Sequence, residues 1–89
     1  MTTYPKITSV DPLQDKQLRV TFATGIHKIY DCTALLNEAA FAPLKDEKLF
    51  QQVHADSTGY GILWNDDIDL SESELWIHGQ TERVEVIKP

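Results

Sequence analysis

Carboxylates at alternate positions can wrap a hard cation, and the run Asn65-Asp66-Asp67-Ile68-Asp69-Leu70-Ser71-Glu72 offers that pattern. The spacing does not make a calcium loop of the EF-hand kind. Counted from Asp67, the sixth position should be glycine and is Glu72, and the twelfth should be a bidentate acid and is His78. His27, His54, His78 and the single thiol, Cys32, show no zinc-ligand spacing. Cys32 falls in the first turn of a predicted helix, where the dipole favours a thiolate, but Asp31 beside it opposes that. No Gly-rich phosphate loop, nucleophile elbow or His–Glu metalloprotease pair occurs. Asp66 and Asp69 on a surface turn lack the cleft that acid–base catalysis requires. The expectation is a protein that is not an enzyme, with no metal and no cofactor.

What remains is recognition by charge. The 89 residues carry 14 acidic and 8 basic side chains, a net charge of −6. Residues 1–48 balance six bases against six acids, whereas residues 49–82 hold seven acids (Asp56, Asp66, Asp67, Asp69, Glu72, Glu74, Glu82) and no Lys or Arg. Trp64 and Trp76 bracket the acidic run, and an indole at the rim of such a run would anchor a partner rich in Arg or Lys. Asp56, Asp66, Asp67 and Asp69, with Trp64 and Trp76, are the candidate partner-binding residues. Direct binding to nucleic acid is not expected from this charge balance. No apolar run reaches membrane-spanning length and the first residues lack a signal-peptide pattern, so no membrane contact and a cytoplasmic location are expected.

These residues need a frame to position them. Leu18, Val20 and Phe22 alternate with polar neighbours, the period of a strand with one wet face. Gly25 can take positive φ and close a hairpin into Ile26–Tyr30. With Ile7–Leu13 ahead of them, these make a three-strand antiparallel meander whose first strand is an edge or bulged one, since its alternation is broken and it carries Pro12. Asp31 is read as the N-cap of a helix over 32–40 and Asp46 as that of a second over 46–52. Val53–Asp56 and Tyr60–Trp64 flank Ser57-Thr58-Gly59 as a second hairpin. Ser71 and Glu74 form a capping box for a last helix, which Gly79 ends in the left-handed conformation. The predicted fold is a single α+β domain over 1–89, with a core at about 5–78, two or three short helices, and 79–89 as a tail or extra strand.

One succession is familiar: Val10-x-Pro12-Leu13, Leu18-x-Val20-x-Phe22-x-x-Gly25, Tyr30-Asp31, Leu35-Leu36, Phe41-x-Pro43-Leu44-x-Asp46, and Trp64-x-x-x-Ile68-Asp69-Leu70-Ser71-x-x-x-Leu75. It resembles the small bacterial family catalogued as domain of unknown function 2442, over about residues 5–78. The resemblance implies a small antiparallel sheet in an α+β fold and supplies no catalytic residues. It also implies an arrangement like a toxin and antitoxin pair, encoded side by side; other members are fused to a helix-turn-helix, which this chain is not expected to contain. The function expected is a non-enzymatic interaction module, antitoxin-like or accessory, that binds a small basic protein encoded nearby. The alternative is a regulatory or dimerisation module that binds a small ligand, or itself as a homodimer, through a sheet edge.

Overall fold

Alternation of Leu18, Val20 and Phe22 builds the strand it predicts. The computed structural model describes residues 4–82 and places β1 at Ile7–Pro12, β2 at Gln17–Phe22 and β3 at His27–Asp31. β2 pairs antiparallel with both neighbours and buries those three side chains completely or nearly so. Gly25 sits at φ +89°, its N–H donating to Phe22 O at 2.8 Å while Phe22 N–H donates to Ile26 O at 2.9 Å. This is the short hairpin loop that Gly25 predicted. The edge strand β1 shifts register between Ile7 and Ser9, where the sequence alternation breaks.

A second antiparallel sheet contains β4 (His54–Ala55), β5 (Gly61–Asn65) and β6 (Ile68–Ser71), in that order. The β4–β5 hairpin was expected, with Gly59 at φ +79° in its turn. β6 was not. Its buried Ile68 and Leu70 alternate with exposed Asp69 and Ser71, so the acidic run is the turn and outer face of a second hairpin. Asn65 Oδ1 closes that turn, accepting from Asp67 N–H at 2.9 Å and Ile68 N–H at 3.0 Å.

The middle of the chain departs furthest from expectation. In place of a helix over 32–40 there is a 3-10 turn at Thr33–Asn37, followed by a second at Ala42–Lys45. Leu35 and Leu36 are half-buried and Ala39 and Ala40 exposed, so a continuous helix would gain too little burial to offset its ordering. Pro43 lies in the first turn of the second, where its fixed φ is favourable. The helix after Asp46 is a single turn, α1 (Glu47–Phe50), capped as predicted by Asp46, which accepts from Lys48 N–H at 3.0 Å. α2 spans Glu72–His78, and β7 (Gln80–Thr81) returns to the first sheet beside β3, giving the order β1-β2-β3-β7. The rest of the predicted tail, beyond Glu82, lies outside the described residues.

The two sheets meet where Ile7 N–H donates to Gly59 O at 2.8 Å. Phe22, Phe50, Leu44, Ile62, Trp64 and Leu75 fill one hydrophobic cluster drawn from both sheets, the turn at Ala42–Lys45, α1 and the helix over Glu72–His78. The architecture is α+β, as predicted. No helix among the described residues is long and apolar enough to cross a membrane.

Candidate functional site

β5 and β6 turn Ile62, Trp64, Ile68 and Leu70 to the core and Leu63, Asp69 and Ser71 outward. Leu63 faces Asp69 across the ladder and Gly61 faces Ser71. A groove of about 410 Å³ lies here, lined by Asp56, Tyr60, Gly61, Leu63, Asp66 and Asp69 among others. Three carboxylates stand around it, and among the described residues no lysine or arginine lines it.

Asp56 follows β4. The Thr58 hydroxyl donates to its Oδ2 at 2.6 Å and holds its carboxyl below the usual range, against a smaller opposing effect of burial. Asp66 stands in the turn and Asp69 on β6, both exposed and, among the described residues, without an ion-pair partner. Asp67 is exposed in the same turn but does not line the groove.

The tryptophans lie elsewhere. Trp64 is 3% exposed and its indole N–H donates to Phe50 O at 3.1 Å, so it belongs to the core. Trp76, half-buried on α2, packs edge-on against Phe22 at 5.0 Å and carries the Lys28 ammonium 4.1 Å from its ring centroid. Neither lines the groove. The aromatic that does is Tyr60, 57% exposed, with Lys6 Nζ 5.1 Å from its ring centroid. Its parity with Ile62 and Trp64 points it inward on paper. The turn at Gly59 breaks that alternation just before β5 starts.

The capping residues act differently from their motif. Ser71 Oγ accepts from Glu74 N–H at 3.2 Å as predicted, but the Glu74 carboxylate does not return to Ser71. Ser71 is already paired with Gly61, and Glu74 Oε2 instead accepts from the Tyr30 hydroxyl at 2.9 Å. Gly79 is extended, at φ −74°, and not left-handed. It is glycine for space, because a Cβ there would run into the Leu75 carbonyl oxygen and lie 3.2 Å from Lys28 Cβ. Asp31 Oδ1 accepts from both the N–H and the hydroxyl of Thr33, at 2.9 and 2.6 Å, in a local turn one residue ahead of Cys32, which is the N-cap of the 3-10 turn in place of the predicted Asp31. These bonds lower its carboxyl pKa. Cys32 is fully buried, and burial, then the Asp31 charge, pushes its thiol up to about 12. It stays protonated at neutral pH.

The family model described as "Protein of unknown function (DUF2442)" matches residues 7–80. Among solved structures, the crystal structure of "Putative DNA Binding Protein NE0471" from Nitrosomonas europaea ATCC 19718 is similar, with a TM-score of 0.73 and 29% identity. The match covers 88% of this chain and 52% of that one, so this chain spans about half the length of its structural neighbour. None of the curated proteins matches. The neighbour's name corrects the expectation of no direct nucleic-acid binding. That expectation rested on a net charge that averages a neutral segment with an acidic one, and an average does not describe a surface.

Proposed function

The chain belongs to DUF2442, a family of proteins of unknown function, and from that premise we propose that it is a non-enzymatic interaction module, antitoxin-like or accessory, whose groove receives a basic segment of a small protein partner encoded nearby. The observation that carries this reading is the groove itself: Asp56, Asp66 and Asp69 around a floor of Gly61 and Leu63, with Tyr60 exposed beside them. Guanidinium and ammonium groups would donate charge-assisted hydrogen bonds to the carboxylates, while their aliphatic stems cover Leu63. Lys6 over the Tyr60 ring marks a position where a cation already rests. Carboxylates at an open rim act mainly on the encounter rate.

The test replaces Asp66 and Asp69 together by lysine and measures binding to the product of the neighbouring gene by surface plasmon resonance at low salt. The association rate is expected to fall about tenfold or more. Because both side chains are exposed, stability should move by no more than about 0.5 kcal/mol. Unchanged binding, or no capture of that product by the unmodified protein, rejects the reading.

The neighbour's name favours a second reading, contact with DNA. Lys16 is tied to Glu47 at 2.7 Å, Arg19 to Glu82 at 2.8 Å, and Lys28 is buried against Trp76. Lys6, Lys45 and Lys48 are exposed and, among the described residues, outside any ion pair. Three phosphate contacts would give a log–log salt slope of about −3 in anisotropy titrations of a labelled duplex. Lys45→Glu with Lys48→Glu should flatten it by about 2. No binding at about 50 mM salt, where phosphate contacts are strong, would reject this reading.

A further inference from the structure

Among the described residues β7 pairs with β3 at two positions, Lys28 with Thr81 and Ile29 with Gln80. Tyr30 and Asp31, the last residues of β3, run on with no partner strand on that side among the described residues. α2 and the turn Thr33–Asn37 stand around the gap and leave a cavity of about 410 Å³. Ile29, Ala34 and Leu35 are its apolar lining, and Glu74, His78 and Gln80 are polar groups at its wall. It lies on the other sheet from the acidic groove and shares no residue with it.

Glu74 is the fixed charge of this cavity. One carboxylate oxygen, Oε2, is held by the hydroxyl of Tyr30, a residue only 5% exposed. Burial and the neighbouring carboxylate raise the Tyr30 pKa and keep that proton in place. The other oxygen, Oε1, is 3.9 Å from His78 Nε2, beyond hydrogen-bonding distance. The carboxylate is therefore oriented from the core side and retains an acceptor on the cavity side. Asp31 adds a second negative charge, although its own carboxylate is engaged by Thr33. Among the described residues no lysine or arginine lines the space to answer either charge.

We infer that this cavity binds a small organic cation, an ammonium or guanidinium on a short aliphatic chain, with its head on Glu74 Oε1 and its chain along Ile29, Ala34 and Leu35. The cavity falls within the range of small-molecule sites, about 300–1,000 Å³. An anion is opposed by two carboxylates. A neutral apolar ligand gains nothing from Glu74 Oε1, whereas a cation gains a charge-assisted hydrogen bond there. The Gln80 side-chain oxygen is a second acceptor on the wall.

The experiment titrates the ¹⁵N-labelled full chain with agmatine and, in parallel, with neutral pentylurea. Agmatine should give saturable amide shifts centred on Ile29, Ala34 and Gln80, with a Kd near or below about 1 mM, and pentylurea should not. Glu74→Gln, which keeps the backbone N–H that Ser71 caps, should weaken agmatine by about tenfold or more. Ala34→Trp, at an exposed position, should block the cavity and abolish saturation while the rest of the spectrum stays dispersed. If Glu74→Gln unfolds, Ala34→Trp decides alone. The inference is overturned if shifts fail to saturate by about 10 mM, if pentylurea matches agmatine, if the shifts centre on Asp66 and Asp69, or if Ala34→Trp binds as before. Only shifts centred on Asp66 and Asp69 would bear on the acidic groove, and they would favour cation binding there while rejecting it here, so the two sites stand or fall separately.

Discussion

Phe50→Ala is expected to lower the melting temperature by roughly 15–30 °C. Truncating a buried phenylalanine costs about 3–5 kcal/mol, and each kcal/mol is worth about 4–8 °C in a domain of this size. Phe50 is fully buried at the end of the one-turn helix α1. Its ring centroid lies 6.2 Å from that of Trp64, its carbonyl accepts the buried indole N–H at 3.1 Å, and the Lys16 ammonium rests 4.9 Å from its ring centroid. A helix this short has no stability of its own. The Asp46 cap and the Phe50 side chain hold it, so losing the ring loosens α1 and lets water reach Trp64. Tryptophan fluorescence during thermal unfolding reads both effects, as an earlier transition and a red-shifted native baseline. The matched control is Tyr60→Ala, at an exposed position, which should change stability by less than about 0.5 kcal/mol. A loss below about 1 kcal/mol for Phe50→Ala would mean that α1 does not seal the core.

The contrast between Phe50 and Tyr60 marks what could be read from the sequence. Where a signal was local it was legible: the alternation around Val20, the positive-φ glycine at 25, and the caps at Asp46 and Ser71 all appear as expected. β6 escaped because Ile68 and Leu70 are only two apolar positions between an acidic turn and a strong helix start. Its existence depends on pairing with β5. The helix over 32–40 failed for the complementary reason. Leu35, Leu36, Ala39 and Ala40 fall at helical spacing, but two of the four are alanines, and the burial they could contribute is too small. The groove shows the same division. Asp56, Asp66 and Asp69 were legible as unexplained charges, but their sharing one depression follows from the β4–β5–β6 register. The exposed tyrosine and the buried tryptophan exchange the roles their residue types suggested, because a partner-facing aromatic and a core aromatic look alike until the turn at Gly59 is built.

Gly61→Val should be the second severe substitution, and the one that joins fold to groove. Gly61 opens β5 opposite Ser71, and a Cβ there would lie 2.5 Å from the Leu70 carbonyl oxygen and 3.6 Å from Ser71 Cα. The obstacle is backbone, which cannot rotate away as a side chain can, so β6 must move off β5. β6 carries two buried residues, Ile68 and Leu70, and ends in the Ser71 cap of α2, so its displacement reaches the core and a helix together. Overpacking of this kind costs about 1–3 kcal/mol for each ill-fitting group, and the branched valine should sit at or above the top of that range. Gly25→Ala is the contrasting case: its Cβ meets nothing within 4 Å, and only the positive φ opposes it, at about 1 kcal/mol. Partner binding separates the causes. Asp66 and Asp69 replaced by lysine should lose association at unchanged melting temperature, whereas Gly61→Val should lose both, although every groove carboxylate is retained. A Gly61→Val protein that melted within about 2 °C of the parent would show that β6 is not seated against β5 as described, and the groove between Asp56 and Asp69 would go with it.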